Sequence, residues 1–333
     1  MSEARLYRFT LAGLGLATLV LFCLSLMVGP AGIGFADSLA ALVSERGDAV
    51  ALVMQQIRLP RALLGLMIGI TLGLSGAVLQ GYLRNPLAEP ALIGVSASAS
   101  LGAVIAIYTG LSALFPLALP LSALAAAGVA VVIVQAMAGA QGSTLTLILA
   151  GVAVSSFAAA MTSLALNLSS NPFAALEIIF WMMGSLSDRS MTHVWLALPF
   201  MLAGWGALMM LGRALDALTL GGETAASLGI DMRRVQALAI FGTAASVGAA
   251  TAVAGAIGFV GLVVPHLLRP LAGGRPSRLL PASALGGASV VLAADILVRV
   301  LAPGRDLKLG VLTATVGAPF FLWLVWRERR KAA

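Results

Sequence analysis

"VQALAIFGTAASVGAATAVAGAIGFVGLVVPHLL", residues 235–268, runs for 34 residues without an aspartate, glutamate, lysine or arginine. A single helix of that length would measure about 51 Å, whereas the hydrocarbon core of a bilayer is ~30 Å thick. The stretch cannot be one straight membrane helix. It has to turn back on itself, and the glycine-containing "TAVAGAIGF" (251–259) is where the turn is expected.

The rest of the chain agrees. Further apolar runs lie near 9–29, 61–82, 92–109, 113–137, 144–168, 191–211, 280–298 and 309–326. With the arms 235–251 and 256–268 they make ten spans, the eighth of them short. Only 10% of residues are charged, against about 25% in soluble domains, so the chain is an all-α polytopic membrane protein. Its formal charge of +7 does not indicate nucleic acid, because the basic residues are scattered between apolar runs and act as topology signals. The lone Cys23 excludes an internal disulfide or a cysteine metal cluster. Residues 1–29 have an apolar core longer than the usual 7–15 residues of a signal peptide, and they read as an uncleaved first helix.

Ten spans put both termini on one side. With that side inside, it collects 13 of the 20 basic residues, including the tail "WRERRKAA", which the positive-inside rule favours. Arg58, Arg61 and Arg299 then lie outside, against the bias, and neither Arg58 nor Arg61 has an acidic neighbour in sequence.

"SGAVLQGYLRNP" (75–86) aligns with "AGAIGFVGLVVP" (254–265) at an offset of 179, pairing Gly76 with Gly255 and Pro86 with Pro265. The same offset pairs Gly69 with Gly248 and Gly94 with Gly273. The second and seventh spans run in opposite senses, so the expectation is an inverted internal repeat with halves of about 58–170 and 235–328. Inverted repeats are a transporter signature.

Chemistry-bearing residues are sparse. No G-x-x-x-x-G-K-[ST] pattern occurs, so no phosphate-cradling loop is expected. His193 and His266 are far apart and read as interfacial polar residues, and no catalytic cluster or metal site stands out. Acids are nearly absent from span centres, where ion-coupled transporters usually place them. Asp295 is the best candidate, and its spacing from Arg299 favours a local i,i+4 pair. Gly65, Gly69 and Gly73 recur every four residues in the second span, a spacing that lets helices approach closely. "RNPLAEPALIG" (84–94) reads as a rigid turn into the third span. In 212–236, "DALTLGGETAASLGI" reads as short helices broken at Gly221, Gly222 and Gly229, with Glu223 suiting a helix N-terminus.

Six segments in order resemble the permeases of type II ABC importers, which move iron-siderophores, haem and cobalamin. They are "IRLPRALLGL", "LSGAVLQGYLRNPLAEPALIGVS", "LGGETAASLGID", "GAIGFVGLVVPHLLRPLAG", "LLPASALGGASVVLAADILVR" and "LGVLTATVGAPFFLWLV". The resemblance covers nearly the whole chain and implies one transmembrane permease domain, 1–333. It also implies a pair of permeases, a homodimer or two different chains, around a central path in the bacterial inner membrane. Two cytoplasmic ATPases would carry ATP and Mg, this chain binding no cofactor, and a periplasmic binding protein would deliver the cargo. Carried over by residue, the docking arginines are Arg58, Arg61 and Arg299. The ATPase-coupling segment is Gly222, Glu223, Thr224, Ala225, Ala226, Ser227, Leu228 and Gly229. "QGSTLTLILAG" resembles the inner-gate turn, making Ser143 and Thr144 gate candidates. The cargo expected is an iron chelate, with haem or cobalamin as alternatives. An ion-coupled secondary transporter is the rival of another class.

Overall fold

A computed structural model describes residues 3–29, 32, 34–44, 48–139, 144–305 and 307–332. Among them there is no strand. Helix α1 (Glu3–Met27) is followed by α2 (Phe35–Leu42), α3 (Ala49–Leu52) and a π-helical turn, Val53–Arg58, that leads into α4 (Leu59–Tyr82). A 3₁₀ turn, Pro90–Ile93, precedes α5 (Val95–Tyr108), and α6 (Leu111–Leu114) precedes α7 (Ala118–Ala138). Then come α8 (Thr144–Leu168), α9 (Pro172–Met182), α10 (Met191–Met209), α11 (Gly212–Leu218) and α12 (Gly222–Ser227). The chain ends with α13 (Met232–Ala254), α14 (Val260–Leu268), α15 (Pro276–Leu301) and α16 (Leu309–Ala332).

Each of the ten expected runs coincides with a helix. Seven stretches are long and apolar enough to cross a membrane: α1, Ala49–Tyr82, α7, α8, α10, α13 and α15. The arms of the opening stretch are α13 and the nine-residue α14, separated at Gly255 (φ 73°). Helix α9 has no counterpart among the expected runs, being short and interrupted by Glu177.

The two ends of the bundle are chemically distinct. Tyr7 near the start of α1 donates to the carbonyl of Arg278 at 3.1 Å, and His266 meets Phe320 of α16 edge-on at 6.4 Å. The start of α1 and the later turns of α16 therefore share one end with α11, whose Asp216 accepts from Ser277 N–H at 2.8 Å. We call this the terminal end. The start of α4 and the finish of α15 form the opposite end, the mouth.

Helices α4 and α13 are buried nearly all round, pack on each other and run in opposite senses. Around them the pairings repeat. Helix α4 packs on α14 and α15 as α13 packs on α5 and α7; α5 packs on α7 and α8 as α14 packs on α15 and α16. Helix α7 meets α8 as α15 meets α16. This is the pattern of two four-helix units of opposite sense. It corrects the uniform offset of 179, which equates α5 with α15. The pair Gly69 and Gly248 is equivalent, facing α15 and α7 respectively. The other three pairs are not. Gly76 lies inside α4 whereas Gly255 follows α13, because α13 stops earlier to make the break.

Gly69 and Gly73 of α4 face α15, and Gly76 faces α14. A β-carbon on Gly69 would lie 2.5 Å from the Cα of Ala288, one on Gly73 would overlap the Ser283 carbonyl, and one on Gly76 the Gly261 carbonyl. Lipid tails are as apolar as leucine, so helix association in a bilayer rests on close packing. These glycines supply that contact. Gly69→Leu and Gly73→Leu should each cost about 1–3 kcal/mol through overpacking and lower the melting temperature in detergent. Unchanged melting of both would show that the α4–α15 contact is not tight.

Candidate functional site

At the mouth, α2, α3 and the π turn form a small cap. Asp48 accepts from Ala51 N–H at 2.7 Å to start α3, and Gln55 donates to the carbonyls of Ala41, Leu42 and Ser44. Met54 is fully buried with Ala41 and Ala51. The π turn carries Arg58 beneath this cap, where it is only 4% exposed. Its Nη1 donates to the carbonyls of Leu26 and Met27 at 3.0 and 2.9 Å, satisfying the last turn of α1.

Arg61 lies one turn further along. Its Nε and Nη2 both reach Asp295 Oδ1 at 2.9 Å. Arg299 takes the other oxygen, Nη2 to Oδ2 at 2.9 Å, and also donates to the Ser25 and Val28 carbonyls and the Ser25 hydroxyl. One carboxylate, 1% exposed, thus joins α4 to α15, and Arg299 carries the connection on to α1. The expected Asp295–Arg299 pair is present, but Asp295 also serves Arg61, 234 positions away. Distance in sequence hid that partner. The visible signal was that Asp295 is the only acid in the apolar run 280–298.

Three guanidiniums against one carboxylate leave this cluster positive. Arg61, Arg299 and the exposed Arg305 line a shallow depression of about 430 Å³ with Ser187 and Pro303. Of the three arginines expected at the docking surface, Arg61 and Arg299 reach this depression. Arg58 does not line it.

The terminal end carries the other constellation. Helices α11 and α12 are separated at Gly221 (φ 111°), and α12 ends before Gly229 (φ 83°), so glycines bound it as expected. Ala225 is buried beneath it. Glu223, Thr224, Ala226, Ser227, Leu228 and Gly229 face outward, Gly222 is half-buried, and Leu228 is 62% exposed. The Ser227 hydroxyl donates to Thr224 O at 2.8 Å, and Ile230 N–H donates to Ala225 O at 3.1 Å. A compact polar turn with exposed leucines at 220 and 228 is a surface a partner could cover. Thr144 is the first residue of α8 and half-buried; Ser143 lies outside the described residues. Among the described residues no group of three or more His, Cys, Asp or Glu could hold a metal.

The model of the FecCD transport family matches residues 17–327. The chain is 39% identical to the Fe(3+) dicitrate transport system permease FecD of Escherichia coli, over 83% of this chain and 86% of that one. It is 38% identical to the vitamin B12 import system permease BtuC of Klebsiella pneumoniae, over 98% and 96%. A solved structure assigned to the metal-chelate type of ABC transporter, in an inward-facing conformation, superposes with a TM-score of 0.83 at 33% identity, over 96% of this chain and 99% of that one. The chain belongs to the FecCD transport family.

It is therefore a membrane-embedded permease of the type II ABC importers, in which ATP hydrolysis belongs to partner subunits. Two separate surfaces stand out in this FecCD permease: a positive mouth cross-linked by Asp295 and a glycine-bounded helix at the terminal end. Asp295→Asn should lower the melting temperature, costing less than the about 3–5 kcal/mol of a fully buried pair, since it removes the one carboxylate between two half-buried guanidiniums. Asp295→Leu combined with Arg61→Met should recover part of that loss in thermal unfolding. A single Asp295→Asn variant melting like the parent would show the cluster to be unimportant for stability.

Proposed function

We propose that this permease works as one of a pair that imports an iron chelate, a siderophore complex or haem, across the bacterial inner membrane. Two cytoplasmic ATPases drive the pair, and a periplasmic binding protein supplies it. The observation that carries the reading is the placement of two unlike partner surfaces at opposite ends of one bundle. The terminal end is the cytoplasmic one, because 13 of the 20 basic residues group there under the expected topology. The pair is a homodimer, embedded in the lipid bilayer. ATP and Mg bind the ATPases, and this chain holds no cofactor of its own.

At the terminal end, the segment Gly222, Glu223, Thr224, Ala225, Ala226, Ser227, Leu228 and Gly229 enters a cleft on the ATPase, led by the exposed Glu223 and Leu228. The glycines at either end let that helix be displaced without unravelling its neighbours. At the mouth, the two lobes of the binding protein present acidic residues to Arg61, Arg299 and Arg305, while Arg58 holds the end of α1 in place beneath them. Thr144, at the start of α8, and Ser143 before it are gate candidates on the cytoplasmic side.

The iron-chelate reading takes support from the relative named for Fe(3+) dicitrate and from the metal-chelate type structure. Cobalamin is the second reading, favoured by BtuC relatives that align over nearly the whole chain. Reconstitution with the ATPase and binding protein separates them. ATP-dependent, vanadate-sensitive uptake of a ferric chelate is expected; uptake of cobalamin in preference would overturn the cargo, and uptake driven by an ion gradient without ATP would overturn the class.

Two sets of variants probe the surfaces. Glu223→Arg and Leu228→Asp should insert and fold normally yet detach the ATPase or uncouple hydrolysis from uptake, and wild-type uptake in both would remove the coupling assignment. Arg305 is exposed and outside the Asp295 cluster, so Arg305→Glu should lower binding-protein affinity and its salt dependence without changing the melting temperature. Unaltered affinity and salt dependence would place the docking surface elsewhere.

A further inference from the structure

Helix α14 is nine residues long, too short to be stable by itself. It follows Phe259, a non-glycine residue with φ 68°, and it contains Pro265, which has no N–H for the Gly261 carbonyl four residues earlier. Backbone groups left unpaired inside a membrane protein are costly. Both ends of α14 find their partners in the other half of the chain. Glu89 Oε1 accepts from Phe259 N–H at 2.6 Å. Gln80, which is 1% exposed, donates through Nε2 to Leu262 O at 3.1 Å and lies 3.5 Å from the Gly261 carbonyl that the proline frees. Its Oε1 accepts from Arg269 Nη2 at 2.9 Å, one residue past the helix. Gly76 and Pro90 press on Gly261 between these points.

The same stretch of α4 touches α11, which packs on the coupling helix α12. Leu215 of α11 lies against Gly81, the residue after Gln80, and the neighbouring Asp216 holds the first turn of α15 through Ser277 N–H. On its far side α14 lines an apolar groove of about 390 Å³ with α15 and α16, through Val260, Val263 and Leu267.

We propose that Gln80 and Glu89 are positioning residues that clamp α14 to the end of α4, so that displacement of α12 and α11 reaches α14 through Gly81 and reshapes the groove beside α16. The transport part of this inference rests on the ATP-driven import proposed above; the clamp itself does not.

Hydrogen exchange on the purified permease alone tests the clamp. In Gln80→Leu and in Glu89→Ala the backbone N–H groups of 260–264 and 266–268 should exchange at least tenfold faster, while the N–H groups of α10 stay unchanged. Glu89→Gln keeps a carbonyl acceptor and should stay within threefold of the parent. Native α14 protection in the first two variants, or loss of protection in Glu89→Gln equal to that in Glu89→Ala, would overturn the clamp. In the assembled complex with its ATPase, the first two variants should lose at least tenfold in uptake while hydrolysing ATP within twofold of the parent. Uptake and hydrolysis falling together would reduce both residues to a structural role. A parent complex without ATP-dependent uptake would instead refute the proposed function and leave the exchange result to decide the clamp.

Discussion

The close approach of α4 to α15 is the constraint on which the rest of the structure depends. In a bilayer there is no gain from moving leucine out of lipid and against leucine, so two helices stay together by backbone proximity and by polar bonds with no competing water. Gly69 and Gly73 let the α4 backbone reach Ser283, Gly287 and Ala288. At the mouth the same two helices are cross-linked by Arg61 and Asp295, and Arg299 extends the link to the end of α1. Apolar contact without a β-carbon and one buried carboxylate shared by two guanidiniums therefore act along a single interface.

That interface leaves room for an irregular one beside it. The break between α13 and α14 leaves backbone groups without helical partners inside the bundle, and in a membrane protein such breaks are tolerated only where protein covers them. Here Ser185 N–H donates to Ala254 O at 2.7 Å, Glu89 accepts from Phe259 N–H, and Gln80 serves the carbonyls near Pro265. Each partner comes from a distant part of the chain. The broken segment is thus tied at several points, and its short helix is carried by its neighbours.

The exposed helix α12 differs from both. Its outward face makes few bonds beyond its own turns, and glycines at 221 and 229 adopt left-handed or otherwise restricted conformations that permit the chain to double back sharply. Its link to the bundle runs through the buried Ala225 and through α11, where Leu215 lies against Gly81 and Asp216 holds Ser277 N–H.

Much of this was legible in the residues themselves. The uncharged run 235–268 demanded a break, the four-residue glycine spacing in 65–73 demanded a close neighbour, and glycines 221, 222 and 229 demanded short helices, because chain length, side-chain size and backbone freedom are local properties. What lay beyond local reading were the pairings across the chain: Asp295 with Arg61, Glu89 with Phe259, Gln80 with Leu262 and Arg269. Sequence placed Arg58 and Arg61 side by side as two free charges. Only the tertiary structure decided that one is taken up by the carbonyls ending α1 and the other by a carboxylate 234 residues away, because a buried charge takes whatever partner the fold brings within hydrogen-bonding reach.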